Sequence, residues 1–248
     1  MQNRISVIIP VYNGSFSIKE LCMKLNKTLT GSCTEHEIVL IDDGSQDNSW
    51  QIVKELHEKY SFIKGIKLKM NYGQQSAIFC GLEKASFEYI VTMDDDLQHN
   101  PNDLLRLIEE IEKGYDVVYG VSETRYHSAY RIMGSKLTNQ LFNILLKKPK
   151  NIKISSFRIM RKETAHKIVA LSLGSGYVYV SASTFRVTNN IQSIYVTHSK
   201  RKYGKSNYHF YKLLKIFIKI FIYYSPIPIC HLFKKNGPIY EIEETTSN

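Results

Sequence analysis

The chain has 248 residues, of which 43% are apolar, so it can fold around a sizeable core and is too apolar for a disordered protein. Its four cysteines are scattered, without the paired spacing of a zinc site or the density of a disulfide-rich secreted domain. The net charge of +10 is unevenly divided: residues 1–124 hold 12 basic and 19 acidic residues, and residues 125–248 hold 21 basic and 4 acidic residues. Such a basic half predicts an anionic partner: a nucleic acid, an anionic membrane or a phosphorylated substrate.

Strand-like and helix-like patterns alternate through the first 120 residues. Short apolar runs indicate strands, and apolar residues three or four positions apart indicate helices. The predicted strands cover 5–10, 37–41, 62–68, 89–93 and 116–119. The predicted helices cover 17–29, 50–60, 74–85 and 101–113. Repeated strand–helix units predict an α/β fold, with a mostly parallel sheet, helices on both faces and ligands at the C-terminal ends of the strands.

The pattern is looser in the second half. The elements predicted there are helices over 126–146 and 163–171, a short apolar segment over 156–160 and a strand over 191–196. A basic amphipathic helix is predicted over 208–224, too charged and too short to span a bilayer. Such a helix lies in a membrane interface or packs on the domain's own core. We therefore expect a main domain over 1–205, a membrane-interface helix over 206–229 and a flexible tail over 230–248.

Acidic residues follow two of the predicted strands. Asp42 and Asp43 end the second strand, and Asp94, Asp95 and Asp96 follow the apolar run 89–93. Like charges this close repel each other unless a cation neutralises them, and hard oxygen ligands suit Mg²⁺ or Mn²⁺ with the phosphates of a substrate. A solvated turn or a helix N-cap is the alternative, because Asn-Pro-Asn follows at residues 100–102.

Six short motifs occur in order along the chain. They are Ile8–Asn13, Ile41–Ser45, Asn71–Gln74, Met93–Pro101, Ser156–Met160 and Arg201–Ser206. With them the chain resembles glycosyltransferase family 2, and within it the polyprenyl-phosphate glycosyltransferases related to dolichyl-phosphate mannose synthase. The resemblance implies a GT-A fold and an inverting, Mg²⁺- or Mn²⁺-dependent transfer of sugar from a nucleotide sugar. It implies a polyprenyl phosphate as acceptor and a part in the synthesis of cell-surface glycans.

The resemblance also implies roles for individual residues. Those expected to bind the donor are Pro10, Tyr12, Asn13, Asp42, Asp43, Gly73, Gln74 and Asp95. Those expected to bind the metal are Asp94, Asp96 and Gln98, and those expected to bind the acceptor phosphate are Arg125, Arg131, Arg201 and Lys205. Of these, Asp94, Asp96, Arg125 and Arg131 are the expected catalytic residues. Alternate residues leaving a strand point the same way, so residues 94, 96 and 98 should converge while residue 95 points elsewhere.

The charge pattern bears on the acceptor. Many inverting members of this family need a carboxylate base to deprotonate a sugar hydroxyl, but residues 125–239 contain a single carboxylate, Glu163. A polyprenyl phosphate is already ionised and needs no such base. The alternative is that Asp95 acts as base on a hydroxyl of a lipid-linked or surface glycan. A non-catalytic basic protein that binds membranes or nucleic acid is the alternative of another class, although no nucleic-acid module is evident. No secretory signal is visible, so we expect a cytoplasmic protein at the cytoplasmic face of the membrane.

Overall fold

An eight-stranded sheet forms the centre of the fold. The computed structural model describes residues 3–122, 143, 145–146, 148–197, 199, 210–225, 227, 233 and 237–246. The strands are β1 (Arg4–Val11), β2 (Glu35–Asp42), β3 (Ile63–Leu68), β4 (Tyr89–Thr92), β5 (Val117–Ser122), β6 (Arg158–Arg161), β7 (Ile191–Val196) and β8 (Ile242–Thr245). The helices of the described ranges are α1 (Ile18–Leu29), α2 (Ser49–Lys59), α3 (Gln74–Lys84), α4 (Asp103–Ile111), α5 (Lys162–Ser172), α6 (Val180–Val187) and α7 (Phe210–Tyr224).

The sheet is mostly parallel. Its strand order is β7-β5-β6-β4-β1-β2-β3-β8. β6 runs antiparallel to both of its neighbours, β8 runs antiparallel to β3, and the remaining pairs are parallel. The mostly parallel α/β sheet expected from the alternating pattern is therefore confirmed.

Helices cover both faces of the sheet because the central strands are apolar on both sides. In β1, Ile8 belongs to one core, while Val7 and Ile9 belong to the other. Helices α1, α2 and α4 pack against the second of these cores, and α3, α5, α6 and α7 pack against the first. In α1 the buried side chains recur three or four positions apart, which gives the helix a single apolar face.

Two elements differ from the sequence predictions. Helix α6 was not predicted, because it is buried on nearly all sides and so lacks an amphipathic period. β8 lies within the tail that was expected to be flexible, and that expectation is wrong for residues 242–245. β8 pairs antiparallel with β3, and ion pairs beside this ladder join Lys67 to Glu243 at 3.1 Å and Lys69 to Glu241 at 2.8 Å. The helix predicted over 126–146 falls almost entirely outside the described residues.

Helix α7 packs on the domain with one face only. Ile220 and Tyr224 are buried, and the Tyr224 hydroxyl accepts a hydrogen bond from the N–H of Tyr179 at 2.9 Å. The opposite face exposes apolar and cationic side chains, namely Leu214, Lys215, Ile218 and Lys219. None of the helices in the described ranges is long and apolar enough to cross a membrane.

Candidate active site

The C-terminal ends of three neighbouring strands meet at one edge of the sheet, here called the acidic edge. Strands β4, β1 and β2 are adjacent and parallel, and the register pairs Asp42 with Val11. The N–H of Met93 donates to the carbonyl of Ile8 at 3.1 Å, so the segment after β4 begins at the same edge. The sheet thus brings both acidic clusters, residues 42–43 and 94–96, to one place.

Asp42 and Asp43 have opposite environments although they are neighbours in the sequence, and both are buried. Asp43 accepts hydrogen bonds from the N–H groups of Tyr72 at 2.7 Å and Gly73 at 2.9 Å. Neither carboxylate oxygen of Asp42 has a hydrogen bond of standard geometry to any residue in the described ranges. Burial raises the pKa of Asp42, and the nearby Ser45 offsets this only in part. Asp43 therefore holds the 72–73 turn, while burial leaves Asp42 with a raised pKa that neighbouring groups offset only in part, a perturbation that is common at functional sites.

The loops that follow β1 and β2 are fastened to each other. The N–H of Asn13 donates a hydrogen bond to the Ser45 hydroxyl at 2.9 Å. The side-chain oxygen of Asn13 accepts a hydrogen bond from the N–H of Gln46 at 2.8 Å. The N–H of Gly14 donates to the Ser49 hydroxyl at 2.9 Å. Asn13 has a φ of 53°, in the left-handed region that asparagine tolerates. Asn13, which was expected to bind the donor, thus holds the two loops in register.

Three other residues expected to bind the donor lie at the acidic edge. Pro10 is buried within β1, and Tyr12 directly follows β1 with 39% of its surface exposed. Gly73 precedes α3 with a φ of 93°, a conformation that favours glycine. No atom lies within 4 Å of where a side chain at Gly73 would begin, so the requirement for glycine comes from the backbone.

Asp94 and Asp95 point to opposite sides of β4. The Oδ2 atom of Asp94 accepts a hydrogen bond from the Ser156 hydroxyl at 2.6 Å, and Oδ1 accepts from the Gln74 side-chain amide. A Cβ atom at Gly14 would lie 2.3 Å from Oδ2 of Asp95, so this carboxylate rests against the loop after β1. The expectation that residue 95 points away from residue 94 agrees with these contacts, and Gln74 binds Asp94.

A turn, rather than a continuing strand, carries Asp96 and Gln98. β4 ends at Thr92, and Leu97 has a left-handed φ of 59°. The N–H of Gln98 donates to Oδ1 of Asp96 at 3.1 Å. Alternation along a strand, the expected cause of convergence, is therefore wrong here, because Asp96 and Gln98 lie in a turn beyond the end of β4. A leucine in this conformation costs roughly 1–3 kcal/mol, a strain that occurs mostly at functional sites.

The residues of this turn suit a divalent cation that binds together with a diphosphate. The Gln98 side-chain N–H donates to the carbonyl of Ser199 at 3.2 Å, so the amide oxygen remains as the ligand atom for a cation. Within the described ranges, no three His, Cys, Asp or Glu side chains form a cation site by themselves. Mg²⁺ bound with phosphates takes one or two carboxylates from the protein and completes its shell with phosphate oxygens and water. Asp94, Asp96 and the Gln98 amide fit that requirement.

All residues expected to contact the acceptor phosphate, Arg125, Arg131, Arg201 and Lys205, lie outside the described residues. Their roles stay predictions. Ser199, which comes shortly before the last two in the sequence, donates its N–H to the carbonyl of Gln98 at 2.8 Å. The chain therefore passes beside the acidic turn directly before this basic segment.

Two residues that contact the aspartates were not found by reasoning from the sequence. Ser156 lies in the Ser-Phe-Arg motif, but it is 62 positions from Asp94, and no local pattern links the two residues. Gly14 follows Asn13 in an ordinary turn dipeptide, which indicates a loop and gives no sign of the carboxylate of Asp95 beside it. Both contacts depend on how distant strands come together.

The chain is similar in sequence to known sugar transferases. The family described as Glycosyl transferase family 2 matches residues 6–169. The undecaprenyl-phosphate 4-deoxy-4-formamido-L-arabinose transferase of Klebsiella pneumoniae (strain 342) is 33% identical over 214 residues, which cover 86% of this chain. The chain spans 65% of the length of that relative.

Solved structures share the fold. Glucosyl-3-phosphoglycerate synthase from Mycobacterium tuberculosis, in complex with Mn²⁺, UDP-glucose and phosphoglyceric acid, has a TM-score of 0.67 at 15% identity, covering 95% of this chain and 87% of the other. S. aureus TarS 1–349 in complex with UDP-GlcNAc has a TM-score of 0.58 at 21% identity, covering 93% and 69%. Identities this low establish a shared fold alone, and the expected GT-A architecture is confirmed.

Proposed function

The chain belongs to glycosyltransferase family 2, and from this we propose that it transfers a sugar, with inversion, from a nucleotide sugar to a polyprenyl phosphate at a membrane surface. The observation that carries the proposal is the acidic edge, where buried Asp42 and the carboxylates of Asp94 and Asp96 lie at the ends of neighbouring strands. The relative named as an undecaprenyl-phosphate transferase supports the choice of acceptor. The reaction would serve the synthesis of a cell-surface glycan.

The donor nucleotide would lie across the ends of β1 and β2. Asp42 is a buried acceptor without a hydrogen bond of standard geometry from the described residues, and an N–H of the base or a ribose hydroxyl would supply one. Because Asp42 is fully buried, the Gly44-Ser45 turn above it would move to admit the donor. The exposed ring of Tyr12 offers a flat surface for the base, and Asp95 lies beside the loop after β1, next to Gly14.

Asp94, Asp96 and Gln98 would hold Mg²⁺ or Mn²⁺ beside the diphosphate of the donor. When bound, the ion offsets the negative charge that develops on the departing diphosphate. The mycobacterial synthase that shares this fold was solved with Mn²⁺ and UDP-glucose, which supports this choice of ion.

The position of Glu163 supports an acceptor that needs no base. An oxygen of the acceptor phosphate would bond to the anomeric carbon as the bond from that carbon to the diphosphate breaks, and the nucleoside diphosphate would leave. The phosphate is ionised at neutral pH, so no proton has to be removed. Glu163, the single carboxylate between residues 125 and 239, sits in the first turn of α5. The register pairs Arg161 with Tyr89, at the start of β4, so α5 begins at the end of the sheet away from the acidic edge.

Helix α7 supports contact with an anionic membrane. Its inner face is fixed on the core by Ile220 and Tyr224. Its outer face combines Leu214 and Ile218, which can enter the acyl region, with Lys215, which can reach lipid headgroups. Lys219 is also exposed, and its Nζ atom lies 5.0 Å from the centre of the Tyr177 ring. This arrangement would keep the enzyme on the surface where a polyprenyl phosphate resides.

A transfer assay tests the enzymatic proposal. The purified protein is given a panel of nucleotide sugars, Mn²⁺ and a polyprenyl phosphate in detergent, with a saccharide as competing acceptor. We expect sugar on the lipid phosphate and release of a nucleoside diphosphate. Asp96→Ala should lower the rate about 100-fold or more, because a ligand of the ion is lost, while Glu163→Gln should leave it unchanged. Transfer only to the saccharide, or full activity in Asp96→Ala, would overturn the proposal.

Vesicle sedimentation tests the membrane proposal separately. Each lysine near an anionic surface contributes about 1 kcal/mol, so Lys215→Gln should weaken binding to anionic vesicles about fivefold. Lys59→Gln removes the same charge from α2, on the opposite face of the sheet, and should have no effect. Equal binding to anionic and zwitterionic vesicles, or equal effects of the two variants, would contradict a role for α7.

A further inference from the structure

The carboxylate of Asp94 is held from two directions by neutral donors. The Gln74 side chain donates to Oδ1 from the first turn of α3, and the Ser156 hydroxyl donates to Oδ2 from the segment before β6. Two donors on opposite oxygens restrict the rotation of the carboxylate. A carboxylate that binds a metal needs this restraint more than an ordinary surface aspartate does.

A buried chain of hydrogen bonds stands behind Ser156. The Thr92 hydroxyl donates to the carbonyl of Ser156 at 2.5 Å and accepts from Nε of Arg158 at 3.1 Å. Arg158 is 1% exposed, and a second nitrogen donates to the Ser181 hydroxyl of α6 at 2.8 Å. The guanidinium also lies 5.8 Å from the centre of the Tyr119 ring. This chain of hydrogen bonds therefore links the backbone carbonyl of Ser156 to strands β4 and β6 and to helix α6.

The polar partners of Arg158 are unusual for a buried arginine. Within the described residues its hydrogen bonds go to the hydroxyls of Thr92 and Ser181, and it forms no ion pair with a carboxylate. Burying a guanidinium among hydroxyl groups costs free energy that a buried apolar side chain would not. One of these hydrogen bonds joins Arg158 to Thr92, the last residue of β4 and two positions before Asp94.

We propose that Ser156 is a positioning residue for Asp94 as a metal ligand, and that Arg158 supports it through Thr92. This inference rests on the proposed function, because it assumes that Asp94 and Asp96 bind the cation. Ser156 acts through Asp94 and need not touch the substrate. Ser155 provides a matched comparison, since its hydroxyl accepts a hydrogen bond from the N–H of Phe157 at 3.2 Å and has no contact with Asp94.

Binding of Mn²⁺ in the absence of any sugar donor tests the proposal. Free Mn²⁺ is followed by electron paramagnetic resonance as the ion is added with inorganic pyrophosphate. Loss of a group that orients a ligand typically weakens metal affinity about 10- to 100-fold, which we expect for Ser156→Ala. Ser156→Thr keeps the hydroxyl and should restore the affinity, and Ser155→Ala should match the wild type. The melting temperature of each metal-free variant, measured alongside, separates unfolding from loss of the ion.

A second variant tests the support through Thr92. Thr92→Val removes the hydroxyl at nearly constant volume and should weaken Mn²⁺ binding less than Ser156→Ala does. If Thr92 acts through Ser156, the fold-changes in the double variant will not multiply. Unchanged Mn²⁺ affinity in Ser156→Ala would overturn the positioning role of Ser156, and multiplying effects would overturn the support through Thr92. Both results would leave the metal assignment intact. Unchanged affinity in Asp96→Ala, or no Mn²⁺ binding by the wild type, would instead overturn the metal assignment on which the inference rests.

Discussion

Replacing Asp42 with asparagine should make the donor-free protein more stable and a poorer binder of nucleotide sugars. The fold buries this carboxylate without hydrogen bonds of standard geometry from the described residues, and burial raises its pKa. A carboxyl group whose pKa is higher in the folded state than in the unfolded state destabilises the fold once the pH exceeds the unfolded value, about 3.9 for aspartate. Removing the charge relieves that cost at neutral pH.

The expected gain in stability can be estimated from the free-energy cost of burying a polar group that has no hydrogen-bond partner. A neutral group of this kind costs about 1–3 kcal/mol and a charged one costs more, so replacing the carboxylate with the neutral amide should gain about 1 kcal/mol at pH 7. For a protein of 248 residues this raises the melting temperature by about 2–4 °C. The gain should shrink as the pH falls toward 4, because Asp42 then becomes protonated in the wild type. Losing a charge-assisted hydrogen bond to the donor, about 1.5–3 kcal/mol, should weaken donor binding about 10- to 150-fold.

Thermal unfolding between pH 4 and pH 8, with and without nucleotide sugar, measures both effects. Asp43→Asn is the matched control, because the neighbouring carboxylate accepts two backbone N–H hydrogen bonds. That variant should lose about 2 kcal/mol, so its melting temperature should fall by about 4–8 °C. The two substitutions are chemically identical, yet they should change stability in opposite directions. A loss of stability in Asp42→Asn at pH 7, or unaltered donor affinity, would refute the reasoning.

Two further substitutions test other parts of the fold. Burial alone would raise the pKa of Glu37, but hydrogen bonds from Lys64, Ser6 and Ser86 outweigh it and lower the pKa. The stabilising effect of the Glu37 carboxylate is present at pH values above 4.5 and is lost as the pH falls through its lowered pKa. Glu37→Gln should therefore unfold about 4–8 °C lower than the wild type at pH 7, and the difference should shrink with falling pH in a pH series of melting curves. Gly14→Ala should displace the Asp95 carboxylate, raising the dissociation constant for nucleotide sugar about tenfold in calorimetry while the melting temperature changes little. An equal loss of melting temperature in Glu37→Gln at pH 2 and pH 7 would contradict the first prediction. Unchanged donor affinity in Gly14→Ala would contradict the second.

The alternating half of the fold could be predicted from the sequence because each element there carries its own period. Strands β1 and β2 are continuous apolar runs, and α1 shows one apolar face. β6 and β8 could not be predicted. β6 reads Arg-Ile-Met-Arg, and it is a strand because β4 and β5 flank it. β8 has four exposed residues, and ion pairs to lysines of a distant segment hold it in place.

The candidate site, like the fold, could be predicted from the sequence only in part. The order of the strands along the chain and their parallel pairing predict that the acidic residues gather at the strand ends. The family resemblance is confirmed by the match over residues 6–169. The different environments of Asp42 and Asp43 could not be predicted from the sequence, because they depend on which of the two carboxylates the 72–73 turn contacts. The support of Asp94 by Ser156 depends in turn on β6 lying beside β4.

The pairing of β8 with β3 also sets an order of events during synthesis. Gly65 and Thr246, which share a hydrogen bond, are 181 positions apart. At about 5–20 residues per second, the outer edge of β3 would wait roughly 10–35 s on the ribosome for its partner. An open strand edge at that stage is a template for aggregation, and charged side chains are a known protection against it. The unpaired edge of β3 would at first be protected from aggregation by the charges of Lys64, Lys67 and Lys69. Once β8 pairs with β3, Lys67 and Lys69 form ion pairs with Glu243 and Glu241.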